Sequence, residues 1–118
     1  MDEPTANTHW SEDFALDQLR EAGLELLDRN YRTQRGEIDL VLQEQSTVVF
    51  VEVRYRASNA YGRPEETVDA RKQSRLQLAA QVFLQQHRDP HNTYCRFDVF
   101  AVSGKPPGHT WRWIQNAF

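Results

Sequence analysis

Cysteine, lysine and long apolar runs are all scarce in this chain, and each scarcity removes a class of function. Cys95 is the one cysteine, so an internal disulfide and a cysteine-ligated zinc cluster are both excluded. It falls in "TYCRFDVFAV", an expected buried strand, where a free cysteine acts as a small hydrophobe. No apolar stretch approaches the roughly 20 residues of a membrane-spanning helix. The first residues, "MDEPTANTHW", are acidic and polar where a secretory signal would be basic and then apolar. A cytoplasmic protein with no membrane partner is the expectation. The net charge of −3 argues against indiscriminate nucleic-acid binding over a broad basic surface, while leaving room for a local basic patch. Of the 14 basic residues only Lys72 and Lys105 are lysines, which leaves twelve arginines. The histidines (His9, His87, His91 and His109) show no metal-ligand spacing, and no internal repeat or low-complexity stretch is present.

What the chain does have is the make-up of one globular domain: 118 residues, 39% hydrophobic and 26% charged. Residues 1–8 are expected to be a flexible N-terminus and 9–118 a single domain. "SEDFALDQLREAG" spaces Phe14, Leu16, Leu19 and Ala22 as a helix, with Ser11 as N-cap and Gly23 as stop. A strand follows from Leu24 to about Arg32. Gly36 turns the chain into "EIDLVLQ", where Ile38, Leu40 and Leu42 alternate with Glu37, Asp39 and Val41. "EQS" then joins it to "TVVFVEVRYR", so the two strands should form an antiparallel hairpin. "ASNAYGRPEET" reads as a loop. A long helix capped by Asp69 follows, with Leu76, Ala79, Ala80, Phe83 and Leu84 on one face. "TYCRFDVFAVSG" is a strand, and "HTWRWIQNAF" a short strand or turn in which Trp111 and Trp113 cover the core with Phe118. The order α-β-β-β-α-β predicts an α/β sandwich built on one mixed sheet.

Charge placed within strands is the feature that asks for an explanation. Residues two apart in a strand share a face, so Glu52 and Arg54 point the same way. The hairpin brings Asp39 towards Glu52, and two carboxylates at close range either share a proton or hold a cation. Magnesium is the natural cation for paired carboxylates with room for water. A solvated or salt-bridged strand face is the simpler account of the same alternation. Glu12 sits on the first helix where it could approach this pair, although an acid in a first turn also serves the helix dipole. Beyond Arg54 the residues Arg56, Arg63, Arg71, Lys72 and Arg75 form a basic segment, interleaved with Tyr61. Arginine forks suit phosphate oxygens and tyrosines stack on bases; a charged loop and a solvated helix start account for the composition equally well.

The stretches "GEIDLV", "VVFVEVRYR", "YGRPEETVDARKQ", "RFDVFAV" and the terminal "AF" occur in the order seen in the YraN family of small bacterial proteins, which this chain resembles over nearly its whole length. That resemblance implies a restriction-endonuclease-like three-layer sandwich similar to Holliday-junction resolvases, whose superfamily signature is a helical Glu, a strand Asp and then Glu-x-Lys. By position it implies that Glu12, Asp39 and Glu52 are catalytic acids, that Asp39 and Glu52 hold magnesium or manganese, and that Arg54 stands where the signature has lysine. It implies a metal-dependent DNA endonuclease acting on branched or structured DNA, and a homodimer, since a symmetric junction needs two cuts. Arginine cannot act as a base as lysine can. Water activation would then fall to the metal or a carboxylate, with Lys72 the one nearby lysine and a solvated helix position its plainer role. A non-catalytic nucleic-acid-binding or adaptor protein on the same fold is the alternative.

Overall fold

The run "TVVFVEV" is β-branched or aromatic at nearly every position, the composition of a strand covered on both faces. It becomes the central strand of the sheet. The computed structural model describes residues 9–58, 68–90 and 94–118; the expected flexible N-terminus, 1–8, lies outside them. The elements are α1 (Trp10–Glu21), β1 (Glu25–Arg32), β2 (Glu37–Glu44), β3 (Thr47–Arg56), α2 (Ala70–Gln86), β4 (Tyr94–Ser103) and β5 (Thr110–Ile114). The strands form one five-stranded sheet in the order β1-β2-β3-β4-β5. β3 and β4 pair in parallel, and the other neighbours are antiparallel. A parallel pair needs a long crossover, and α2 lies within it. The last segment, left between strand and turn by its sequence, is β5.

Alternation along β3 builds two cores, one on each face. Val49 and Val51 join Ala15, Leu16 and Leu19 of α1, with Phe100 and Val102 of β4. Val48 and Phe50 join Leu76, Ala79, Ala80 and Phe83 of α2. A helix therefore covers each face of a mixed α/β sheet. Among the described residues no helix is long and apolar enough to cross a membrane.

Helix boundaries follow local chemistry. The N-cap of α1 is His9, not Ser11: the His9 ring accepts from the Ser11 backbone N–H at 3.2 Å, and Ser11 is buried inside the helix. Gly23, at φ 100, ends α1 as foreseen. Its N–H bonds the Arg20 carbonyl and that of Leu24 the Leu19 carbonyl, a paired closure that requires a left-handed residue. Asp69 caps α2 as expected, accepting from the Lys72 N–H at 2.9 Å.

Two further sequence expectations are corrected. Cys95 is exposed near the start of β4 and not a buried small hydrophobe. Trp113 and Phe118 do cover the core, Trp113 on the α1 side and Phe118 on the α2 side. Ile38 does not share a face with Leu40 and Leu42, for those two belong to the α1-side core and Ile38 to the α2-side core. The switch occurs opposite Asn30, which has φ 53, a left-handed conformation that Asn tolerates better than most residues. It turns β1 between the pairs Arg29↔Leu40 and Tyr31↔Ile38.

Candidate metal and nuclease site

Pairing between β2 and β3 runs from Glu44↔Thr47 to Leu40↔Val51. Beyond it, Asp39 Oδ2 accepts the Val53 N–H at 2.8 Å, so a side chain takes the place of a backbone partner where the strands part. Asp39 thus lies at a split in the sheet, where a helix from either face can reach it. Glu12 approaches on α1, and its charge and that of Asp39 act on one another. Lys72 approaches on α2.

Glu52 is only 4% exposed, and its Oε1 faces two cations. Lys72 Nζ lies 3.5 Å away and Arg54 Nε 3.6 Å away. Both cations act on one oxygen of the carboxylate. Oε2 of Glu52 and Oε1 of Glu12 are shut off from solvent and have no hydrogen-bond partner among the described residues. Buried carboxylate oxygens are costly in that condition.

The acids respond by holding protons. Burial, followed by the charge of Asp39, pushes Glu52 from an ordinary value of 4.5 to about 7. Burial and then Asp39 push Glu12 likewise to about 7, against the opposing pull of Arg29. Asp39 is also raised, by burial above all, although the Val53 N–H and Lys72 pull it down. Asp39 and Glu52 act on one another's protonation, as expected for two close carboxylates.

The residues expected at the site divide into three groups. Glu12, Asp39, Glu52 and Arg54 come together. Lys72, for which a solvated position was the plainer expectation, joins them as a half-buried partner of Glu52, because the Asp69 cap fixes the start of α2 over this face. Arg56 ends β3, while Arg71 and Arg75 are exposed on α2, and Arg75 lines a separate cleft with Arg32 and Arg35. Tyr61 and Arg63 lie outside the described residues.

Sequence reasoning overlooked Arg29, which pairs with Asp13 at 3.0 Å and opposes the proton on Glu12. It also passed over the buried Asp98, whose role is structural. No local pattern marks Arg29, since its relation to Glu12 is made across α1 and β1.

Magnesium is tested here by donor chemistry. Asp39 and Glu52 supply two hard oxygen donors, and the orphaned Glu52 Oε2 is an open one; one or two carboxylates, completed by water and substrate phosphate, suit this ion. Among the described residues no group of three or more His, Cys, Asp or Glu side chains is arranged to hold a metal. The fit is therefore to a two-carboxylate site and not to an all-protein cage.

Comparison with known proteins places the chain among relatives without an assigned activity. A family model described as "Uncharacterised protein family UPF0102" matches residues 11–102. A "UPF0102 protein" of Pseudomonas savastanoi pv. phaseolicola is 49% identical over 109 residues, 92% of this chain and 89% of the relative. One of Stutzerimonas stutzeri is 46% identical over 118 residues, 100% of this chain and 98% of its own. Another, of Chromohalobacter salexigens, is 47% identical over 104 residues, 88% and 83% of the two chains.

Proposed function

The chain belongs to the uncharacterised protein family UPF0102, the YraN family that its motifs resemble, and we propose that it is a magnesium-dependent DNA endonuclease on a restriction-endonuclease-like domain spanning 9–118, acting on branched or structured DNA. The observation that carries this reading is the pair of buried carboxylate oxygens, Glu12 Oε1 and Glu52 Oε2, without a hydrogen-bond partner among the described residues, on two acids whose charges both meet that of Asp39. A purely structural cluster would satisfy them.

Asp39 and Glu52 would hold the metal, which when bound polarises the phosphate and makes a bound water more acidic. The remaining chemistry belongs to the side chains. Glu12, with its carboxyl raised to about 7, is poised to take a proton from the attacking water near neutral pH. Arg54 cannot give up its proton and serves to balance charge gathering on the phosphate oxygens. Lys72 and Arg54, both directed at Glu52 Oε1, hold the Glu52 carboxylate in place. A symmetric junction as substrate would call for a homodimer.

Asp39→Asn and Glu52→Gln should each lower magnesium-dependent cleavage of a four-way DNA junction by at least about 1,000-fold, roughly 4 kcal/mol of barrier, with the folded state retained by circular dichroism. Wild-type protein that cuts no duplex, single-stranded or four-way DNA in magnesium or manganese would end the enzyme reading. Arginine at position 54 favours the second reading, a non-catalytic DNA-binding adaptor on the same fold. Arg54→Lys separates the two: a gain in cleavage marks a weakened nuclease, and none, with DNA binding intact, marks the adaptor.

A further inference from the structure

The β1–β2 turn carries positive charge that the chemistry above leaves unused. Arg32 and Arg35 from this turn and Arg75 from α2 line one open cleft of about 460 Å³. The chain as a whole carries a net charge of −3, so three arginines around one concavity are a local reversal of sign. Glu37 is the one acid among the residues lining the cleft. Its contact with Arg32, at 3.6 Å between side chains 76% and 42% exposed, is of the weak, solvent-screened kind.

The turn is held in shape before any ligand arrives. The Thr33 N–H donates to the Gly36 carbonyl at 2.9 Å. Thr33 Oγ1 accepts from the N–H groups of Arg35 at 3.0 Å and Gly36 at 3.1 Å. Gly36 lies so close to α2 that a Cβ there would meet the Arg75 carbonyl oxygen at 2.9 Å. Backbone packing, not chance side-chain approach, therefore brings the arginines of two elements to one place. Three steps along the strand separate Gly36 from Asp39, about 10 Å. That is too far for a phosphate held by the carboxylates and near enough for another on the same strand.

We propose that this cleft binds a non-scissile backbone phosphate of the nucleic-acid strand presented to Asp39 and Glu52, an assignment that rests on the nuclease reading. Arginine forks recognise phosphate oxygens in pairs. A second anchor on the same strand would fix its direction across the carboxylates.

The test reads binding without metal, so it does not depend on catalysis. Fluorescence anisotropy of a labelled DNA duplex of about 20 base pairs is followed from about 50 to 200 mM NaCl, the range over which phosphate contacts reveal themselves. Arg35→Gln/Arg75→Gln should weaken binding about 5- to 30-fold and lower the salt slope by about 1–2. Gln at 75 keeps the methylenes beside Gly36, and thermal melting checks the fold. Arg35→Lys/Arg75→Lys should retain most of the slope. Arg20→Gln/Arg88→Gln, the same charge loss placed elsewhere, should leave the slope as it is. Unchanged binding by the cleft variant overturns this assignment alone and leaves the nuclease reading standing, as does an equal loss in the Arg20/Arg88 control. Wild-type protein with no salt-dependent DNA binding removes both.

Discussion

Asp98 and Glu52 are buried acids on paired strands, one step apart in register: Asp98 lies opposite Val51 and Glu52 opposite Val99. They face opposite sides of the sheet and are treated in opposite ways. Asp98 is fully buried and fully served. Arg96 Nε reaches it at 3.1 Å, Trp113 Nε1 donates at 2.8 Å and the Asn116 N–H at 2.9 Å. Arg96 is anchored in turn by Glu44 at 2.9 Å. Around Glu52 the cations crowd one oxygen, the other is orphaned, and proton uptake makes up the difference. The first arrangement ties the C-terminal strand and tail to the sheet. The second leaves an electrostatic demand unmet within the fold, which is the demand the proposed metal site would meet.

The largest expected effect is on the satisfied side. Asp98→Ala leaves Arg96 with only Glu44 and strips the Trp113 and Asn116 N–H groups of their acceptor, so it should cost about 3–5 kcal/mol. Urea denaturation measures this. A cost near that of an ordinary surface change would mean that the network does not secure β5.

Acid and base should act on the other side, and the sign follows from the raised carboxyls. Glu52 and Glu12 titrate at about 7 in the folded protein, above the ordinary 4.5, so the folded state binds more protons between those values. Stability is then full below about pH 4.5 and falls as pH rises through 7. A loss on the order of 2 kcal/mol is expected for the group, discounted for the partial exposure of Glu12. Glu52→Gln should flatten the curve. A profile that rises from pH 5 to pH 8 in wild type would contradict the raised values.

Magnesium should reverse that loss. At pH 8 about 10 mM MgCl2 should stabilise the wild type by about 1–2 kcal/mol if the ion binds near millimolar concentration. Asp39→Asn should abolish the gain, and a calorimetric melt reads it directly. Asp98→Asn should keep it, because the two acids serve separate purposes.

How much of this was legible in the chain depends on which interactions are local. The two helices, their caps at Gly23 and Asp69, and the β2–β3 hairpin follow from periodicity and turn chemistry within a few residues. Asp39, Glu52 and Arg54 were legible as misplaced charge in strands, and Glu12 through the family resemblance. The parting of β2 from β3 beyond Leu40↔Val51 was not, and simple alternation put Ile38 on the wrong face. Asp98 was hidden too: Trp113 and Asn116, two of its partners, arrive 15 and 18 residues later. Arg35 and Arg75 meet only because Gly36 packs against α2.

Lys72 offers the smallest and most discriminating test of the contrast. As a partner of Glu52 at 3.5 Å with 35% of its side chain exposed, it matters only while Glu52 carries charge. At pH 5 Glu52 holds its proton and Lys72→Gln should change stability little. At pH 8 the same substitution removes one of two cations from a buried carboxylate, at a cost of about 0.5–1 kcal/mol after discounting for solvent screening. The substitution leaves the backbone N–H that Asp69 caps in place, so a loss of helix capping is not mixed into the result. Arg96 differs because its partner Asp98 sits in a network already satisfied. An equal cost of Lys72→Gln at both pH values would show that Lys72 acts by packing and not through the charge of Glu52.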